Sequence, residues 1–259
     1  MLHKHIIILK TGIIIQARTG SSRLPFKVVL PFDHTNAIIE IILNSLKANS
    51  QGIPVVLATS TNGDDDVLCK VAGNMEVDCF RGPEQDVLGR FIQAAEKFNF
   101  DQIIRICADN PFLDVAGTMM LLDHSEEEAY DYIAYRVAGN IPSIKSHLGL
   151  WGEVVSLKSL KKIKEETNKK LYYEHVTNYI YDHPDKFKIK WVDAPELVYA
   201  RKDIRLTIDN VEDFNMCKEI YYEMKMQGIA FNTPNIVNFL GKNAHYLDIM
   251  QDQIKKYTK

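Results

Sequence analysis

Apolar, β-branched runs alternate along this chain with amphipathic stretches. The runs predict strands over residues 12–16, 53–59, 77–81, 102–107, 131–135, 186–191 and 205–208. The amphipathic stretches predict helices over 36–47, 64–72, 85–98, 116–123, 157–166, 172–181, 211–226 and 235–240, with a weaker one over 244–256. In 85–98, Val87, Leu88, Phe91, Ala94, Ala95 and Phe98 recur at the helical period on one face. Glu84 and Asp86 stand near its start, where they suit the helix dipole. Strand–helix alternation of this kind predicts an α/β, three-layer fold around a mixed, mainly parallel sheet. In such sheets ligands gather at the carboxyl ends of strands, near the point where strand order reverses. The residues just after each strand therefore carry the functional reading.

Composition narrows the classes. A chain of 259 residues with 46% hydrophobic residues suits one core-bearing domain. The formal net charge of -3 speaks against a global polycation and so against non-specific nucleic-acid binding. Cys69, Cys79, Cys107 and Cys217 form no CxxC pair, which leaves no zinc-finger spacing. They are expected to be reduced and mostly buried, in a cytoplasmic protein. The start "MLHKHIIILKTGIII" has two short apolar runs broken by Lys10, too short for a membrane span. It is expected to lead into the first strand, with His3 and His5 inert, and neither secretion nor membrane association is expected.

The first strand ends in "IIIQARTGSSRLPFK", which spends Arg18, Arg23 and Lys27 within a few residues of the core. Gly20 permits a tight path, loop N–H groups can point at an anion, and the cations suit phosphate oxygens. Neither GxxxxGK with Ser or Thr nor GxGxxG is present, so this is not a Walker A loop or a dinucleotide fingerprint. The second strand leads into "ATSTNGDDD", whose small residues suit a flat base and whose Asp64–Asp66 triplet reads most simply as a helix cap. Asp109 closes the segment "IIRICAD", just past the strand 102–107, and Asp209 follows the apolar run 205–208. Two carboxylates at two strand ends suit one magnesium ion, which takes one or two carboxylates plus phosphate oxygens and waters. Each also suits an N-cap of the following helix, and the residues leave both readings open.

Taken together, "IIIQARTGSSRLPFK", "RGPEQDVLGRF", "RICADNPFLD", "YYEHVTNYIY" and "RLTIDNVEDF" resemble the cytidylyltransferases that make CMP-activated acidic sugars, most nearly the spore coat polysaccharide branch. CMP-Kdo and CMP-sialic acid synthetases are more distant cousins. The resemblance implies a nucleotide-diphosphosugar-transferase-like, Rossmann-like fold and a possible homodimer. It implies that an acceptor hydroxyl attacks the α-phosphate of CTP and that magnesium pyrophosphate leaves. Arg18, Lys27, Asp109 and Asp209 are then the catalytic set, with Asp109 and Asp209 on Mg²⁺. Gln16, Ala17, Arg18, Ser21, Ser22, Arg23 and Lys27 hold the triphosphate end, Ala58 and Thr59 lie near cytosine, and Arg81 and Asp86 near the nucleotide or acceptor.

Three departures stand out. Phe26 replaces the usual loop glycine, "ADNPF" replaces a Gly-Asp-Cys-Pro-Leu type motif, and "DNVED" replaces Asp-Thr-Pro-Glu-Asp. Lys27, Asp109 and Asp209 survive all three, which suggests an active member with an unusual acceptor. The whole chain, 1–259, reads as one nucleotidyltransferase domain, with 140–200 as the acceptor and dimerisation region. Within it, the segment "HLGLWGEVVSL", with Gly149, Trp151, Gly152 and Glu153, is a candidate for acceptor selectivity and also for a dimer arm, Trp151 also suiting plain packing, and Glu174–His175 is a candidate for orienting a substrate. His175 reads more simply as a helix-surface or dimer-contact residue. Tyr172, Tyr173, Tyr179 and Tyr181 suit either an interface or the core. UTP in place of CTP, a non-catalytic nucleotide binder and a DxD glycosyltransferase are the rival readings.

Overall fold

The computed structural model describes residues 9–257. His3 and His5 lie outside the described residues. One eight-stranded sheet is built from β1 (Thr11–Gln16), β2 (Val55–Ser60), β3 (Asp78–Gly82), β4 (Gln102–Cys107), β5 (Tyr132–Val137), β6 (Ile141–Pro142), β7 (Glu153–Ser156) and β8 (Ile189–Asp193). The helices are α1 (Ile38–Asn49), α2 (Asp66–Asn74), α3 (Val87–Phe98), α4 (Val115–Glu127), α5 (Leu157–Glu166), α6 (Lys170–Glu174), α7 (Asn178–Asp182), α8 (Glu196–Tyr199), α9 (Val211–Met226), α10 (Thr233–Lys242) and α11 (Ala244–Lys256). None is long and apolar enough to cross a membrane.

The sheet runs β3-β2-β1-β4-β7-β5-β6, with β8 on the other side of β5. Strands β3, β2, β1 and β4 are mutually parallel, and β7 enters antiparallel between β4 and β5. The period-two pattern of the strands separates two cores. Ile13, Ile15, Leu57, Ile104 and Ile106 face one, closed by α1, α4, α9, α10 and α11. Ile14, Val56, Ala58 and Ile103 face the other, closed by α3, α5 and the α6–α7 pair. This is the expected three-layer α/β architecture. Residues 140–200 are woven into it, since they supply β6, β7 and β8.

Local details differ from the sequence reading. Residues 205–208 are extended but join no ladder. Leu206 N–H donates to the His147 carbonyl at 2.9 Å and Ile208 N–H to the Asp109 carbonyl at 3.0 Å, so the partners are loops. The expected helix 172–181 breaks into α6 and α7 around His175. Val176 and Thr177 turn inward there, and the Thr177 hydroxyl donates to Glu153 at 2.7 Å. Tyr172 and Tyr179 are buried with Tyr173 and Tyr181 packed against the same cluster, so the tyrosines belong to the core.

Candidate active site

Strand order reverses at β1, because β2 and β3 lie to one side of it and β4 to the other. Register places Gln16 beside Cys107 at the carboxyl ends of β1 and β4. A cavity of about 470 Å³ opens at that point. One wall is the loop after β1, with Gln16, Ala17, Arg18, Ser21, Ser22, Arg23 and Lys27. The opposite wall carries Asp109, Asn110, Thr207 and Asp209, and the far end carries Ser143, Ser146, Gly149, Trp151, Glu174 and His175.

Three cations of the loop each reach a carboxylate on a different segment. Lys27 Nζ lies 3.4 Å from Asp109 Oδ2 and also donates to the Ile208 carbonyl. Arg23 Nη2 lies 3.1 Å from Asp209 Oδ1, and Arg18 Nη2 lies 3.0 Å from Glu174 Oε1. The Arg18 pair is well exposed and contributes at most about 1 kcal/mol. Lys27 is only 12% exposed, so its charge is felt more strongly.

The loop is pinned from beneath by Asp65. This carboxylate accepts Thr19 N–H and the Thr19 hydroxyl, both at 2.7 Å, together with Ser60 N–H and the Ser60 hydroxyl. Burial alone would raise its pKa, but the hydrogen bonds from Ser60 and Thr19 prevail and hold it below the ordinary carboxylate value. The triplet 64–66 is thus not a helix cap centred on an aspartate. Asn62 caps the turn, its side chain accepting Asp64 N–H, while Asp65 faces the β1 loop. Phe26 adopts a left-handed backbone (φ 60°), the region that favours glycine, and its N–H closes the loop onto the Thr19 carbonyl at 2.8 Å. A bulky residue there stores roughly 1–3 kcal/mol of strain.

Neither Asp109 nor Asp209 caps a helix. Asp114 caps α4, and Asn210 caps α9 in a capping box with Asp213. Asp209 is instead held by Arg205, whose Nη2 sits 3.0 Å from Oδ2. Arg205 is fully buried and grips Asp213 through two bonds of 2.7 and 2.6 Å. A cation inside an apolar run was the only sign of this in the sequence. Gly149 adopts φ +61°, and a Cβ there would meet Asn110 Oδ1 at 2.9 Å.

Glu153 does not line the cavity. It is 2% exposed and takes Arg105 at 2.6 Å, Thr177 and the Tyr132 hydroxyl. Burial and the Glu153 charge push the Tyr132 phenol well above its ordinary value. Arg105, which lines the cavity beside Gln16, also donates to Gln16 Oε1 at 3.3 Å. Like Glu153, Ala58, Thr59, Arg81 and Asp86 stand outside the cavity lining. Ala58 and Thr59 are fully buried. Arg81 pairs with Asp66 at 2.5 Å, and Asp86 caps α3 while pairing with Lys164.

Against known proteins, residues 12–234 match the Cytidylyltransferase family model. The chain is 34% identical over 215 residues to the spore coat polysaccharide biosynthesis protein SpsF of Bacillus subtilis, covering 80% of this chain and 85% of that protein. A cytidylyltransferase from Leptospira borgpetersenii superposes with TM-score 0.81 at 26% identity, covering 92% of this chain and 97% of the other. A CMP:2-keto-3-deoxy-manno-octonic acid synthetase complexed with CTP superposes with TM-score 0.63 at 14% identity, covering 83% and 99%, which shows a shared fold. With a match that spans both walls of the cavity, the chain belongs to the cytidylyltransferase family.

Proposed function

We propose that this protein transfers CMP from CTP to a small acidic acceptor, releases pyrophosphate, and uses Mg²⁺ bound by Asp109 and Asp209, in surface polysaccharide biosynthesis. The observation that carries the reading is the set of three ion pairs across the cavity, Lys27–Asp109, Arg23–Asp209 and Arg18–Glu174. Each cation is already beside an anion, so a bare triphosphate or a bare divalent ion alone would leave charges unpaired. With both bound, the loop cations would face phosphate oxygens and Asp109 and Asp209 would hold the metal. The two aspartates suit magnesium in kind and number, and neither is committed to a helix cap. When bound, the metal would screen phosphate charge and stabilise the departing pyrophosphate.

The loop residues do the rest by position and charge. Lys27 and Arg18 face the charge that builds on phosphoryl oxygens, while Ser21 and Ser22 offer hydroxyl donors from the same loop. The far end of the cavity, with Ser143, Ser146, Trp151, Glu174 and His175, is the acceptor side in this reading. The preference for CTP draws on the cytidylyltransferase family model that the chain matches, and a synthetase of the same fold was solved in complex with CTP. The test is pyrophosphate release from CTP with a panel of acidic sugars. Asp109→Asn and Asp209→Asn should each lower turnover at least roughly 100-fold with the fold retained. Near-full activity in either variant removes that residue from the metal site.

A further inference from the structure

The last helix, α11, lies beyond the 12–234 stretch that the family model covers. Yet it touches the residues that set Asp209 in place. Gln253 is 4% exposed, and its Oε1 accepts Asn210 Nδ2 at 3.2 Å. Met250 is fully buried, with its sulfur 3.3 Å from Arg205 N–H. Tyr257, just past the helix, places its ring 5.9 Å from the Arg23 guanidinium. Asn210 is the chain neighbour of Asp209, and Arg205 and Arg23 are the cations on its two oxygens.

The buried amide is the informative feature. Packing α11 against this wall needs only apolar side chains, and an amide buried among them is costly unless paired. Gln253 is paired, and with a group that has no slack. Asn210 Oδ1 already accepts Asp213 N–H at 2.8 Å, so Gln253 fixes the other end of the same side chain. Asp213 in turn accepts the main-chain N–H groups of Asp209 at 3.0 Å and Asn210 at 3.3 Å. A hydrogen-bonded path therefore runs from Gln253 through Asn210 and Asp213 to the backbone of Asp209. We infer that Gln253 is a positioning residue for Asp209, and that α11 is part of the active site. The inference rests on the reading of Asp209 as catalytic.

The test compares Gln253→Met, which keeps the packing volume and loses the acceptor, with Gln253→Glu, which keeps an acceptor oxygen. Gln253→Met should lower kcat roughly tenfold with the KM for nucleotide within about twofold. Gln253→Glu should recover most of that loss. Amide hydrogen exchange is measured on the same proteins without ligand. Exchange at Asp209 and Asn210 should quicken in Gln253→Met and stay near the parent rate in Gln253→Glu. Unchanged exchange in Gln253→Met overturns the inference, as does a kcat within twofold of the parent. Quickened exchange in Gln253→Met, with a parent protein that transfers no nucleotide, would leave the positioning role standing and sink the functional reading.

Discussion

Asp65→Ala removes the post on which the β1 loop rests. Two buried main-chain N–H groups, of Thr19 and Ser60, lose their acceptor, and two hydroxyls lose theirs. The hydroxyls can rotate toward other oxygens; the N–H groups cannot. Each orphaned buried donor costs about 1–3 kcal/mol, so the pair sets a loss of roughly 4 kcal/mol, with a range of about 2–6. Urea unfolding at neutral pH reads this directly, with the m-value unchanged if the native contacts elsewhere are intact. Asp65→Asn, which keeps one acceptor oxygen, should fall between parent and alanine. Nucleotide affinity should fall as well, because Arg18 and Arg23 flank the released segment. A loss below about 1 kcal/mol would refute the clamp and return Asp65 to an ordinary loop residue.

Phe26→Gly should raise stability by about 0.5–1 kcal/mol, because relief of left-handed strain exceeds the added freedom of the unfolded chain; a loss of stability would mean that contacts of the exposed ring outweigh the strain. Lys27→Ala should lower kcat roughly 100-fold while leaving KM for the acceptor little changed; an unchanged kcat would place Lys27 outside the reacting phosphates. Acid should weaken the fold through Asp65 and Asp33. Burial opposes ionisation in both, but hydrogen bonds, including Lys225 to Asp33 at 2.8 Å, hold both below the ordinary value. Folded, they bind fewer protons than unfolded below about pH 4, so their stabilisation is full above that pH and is lost as pH falls through the folded values. A urea midpoint that stays level from about pH 5 to pH 2 would contradict this.

The sequence revealed what depends on neighbours along the chain. The four strand–helix units β1–α1, β2–α2, β3–α3 and β4–α4 follow from apolar runs and helical periods, and the cations of 18–27 stand out because they follow a strand at once. Features set by distant partners were hidden. The four residues of β7 are not among the predicted strands, since their strand character comes from pairing with β4 and β5. Residues 205–208 show the converse, a strand-like run whose partners are loop carbonyls. Asp65 looked like a cap because Thr19 is 46 positions away. Asp209 looked like a cap too, and only the structure shows Asn210 and Asp213 closing α9 in its stead. Gln253 gave no local sign, since its partner is 43 positions distant.

The central claim is that the cavity between β1 and β4 exchanges its internal ion pairs for a metal-bound cytidine triphosphate. Calorimetric titration of CTP, UTP, ATP and dTTP, each with and without Mg²⁺, tests it most directly. The account predicts tight binding of CTP that requires Mg²⁺ and is weakened by Lys27→Ala. Equal binding of all four nucleotides, or CTP binding indifferent to Mg²⁺ and to Lys27, would contradict it.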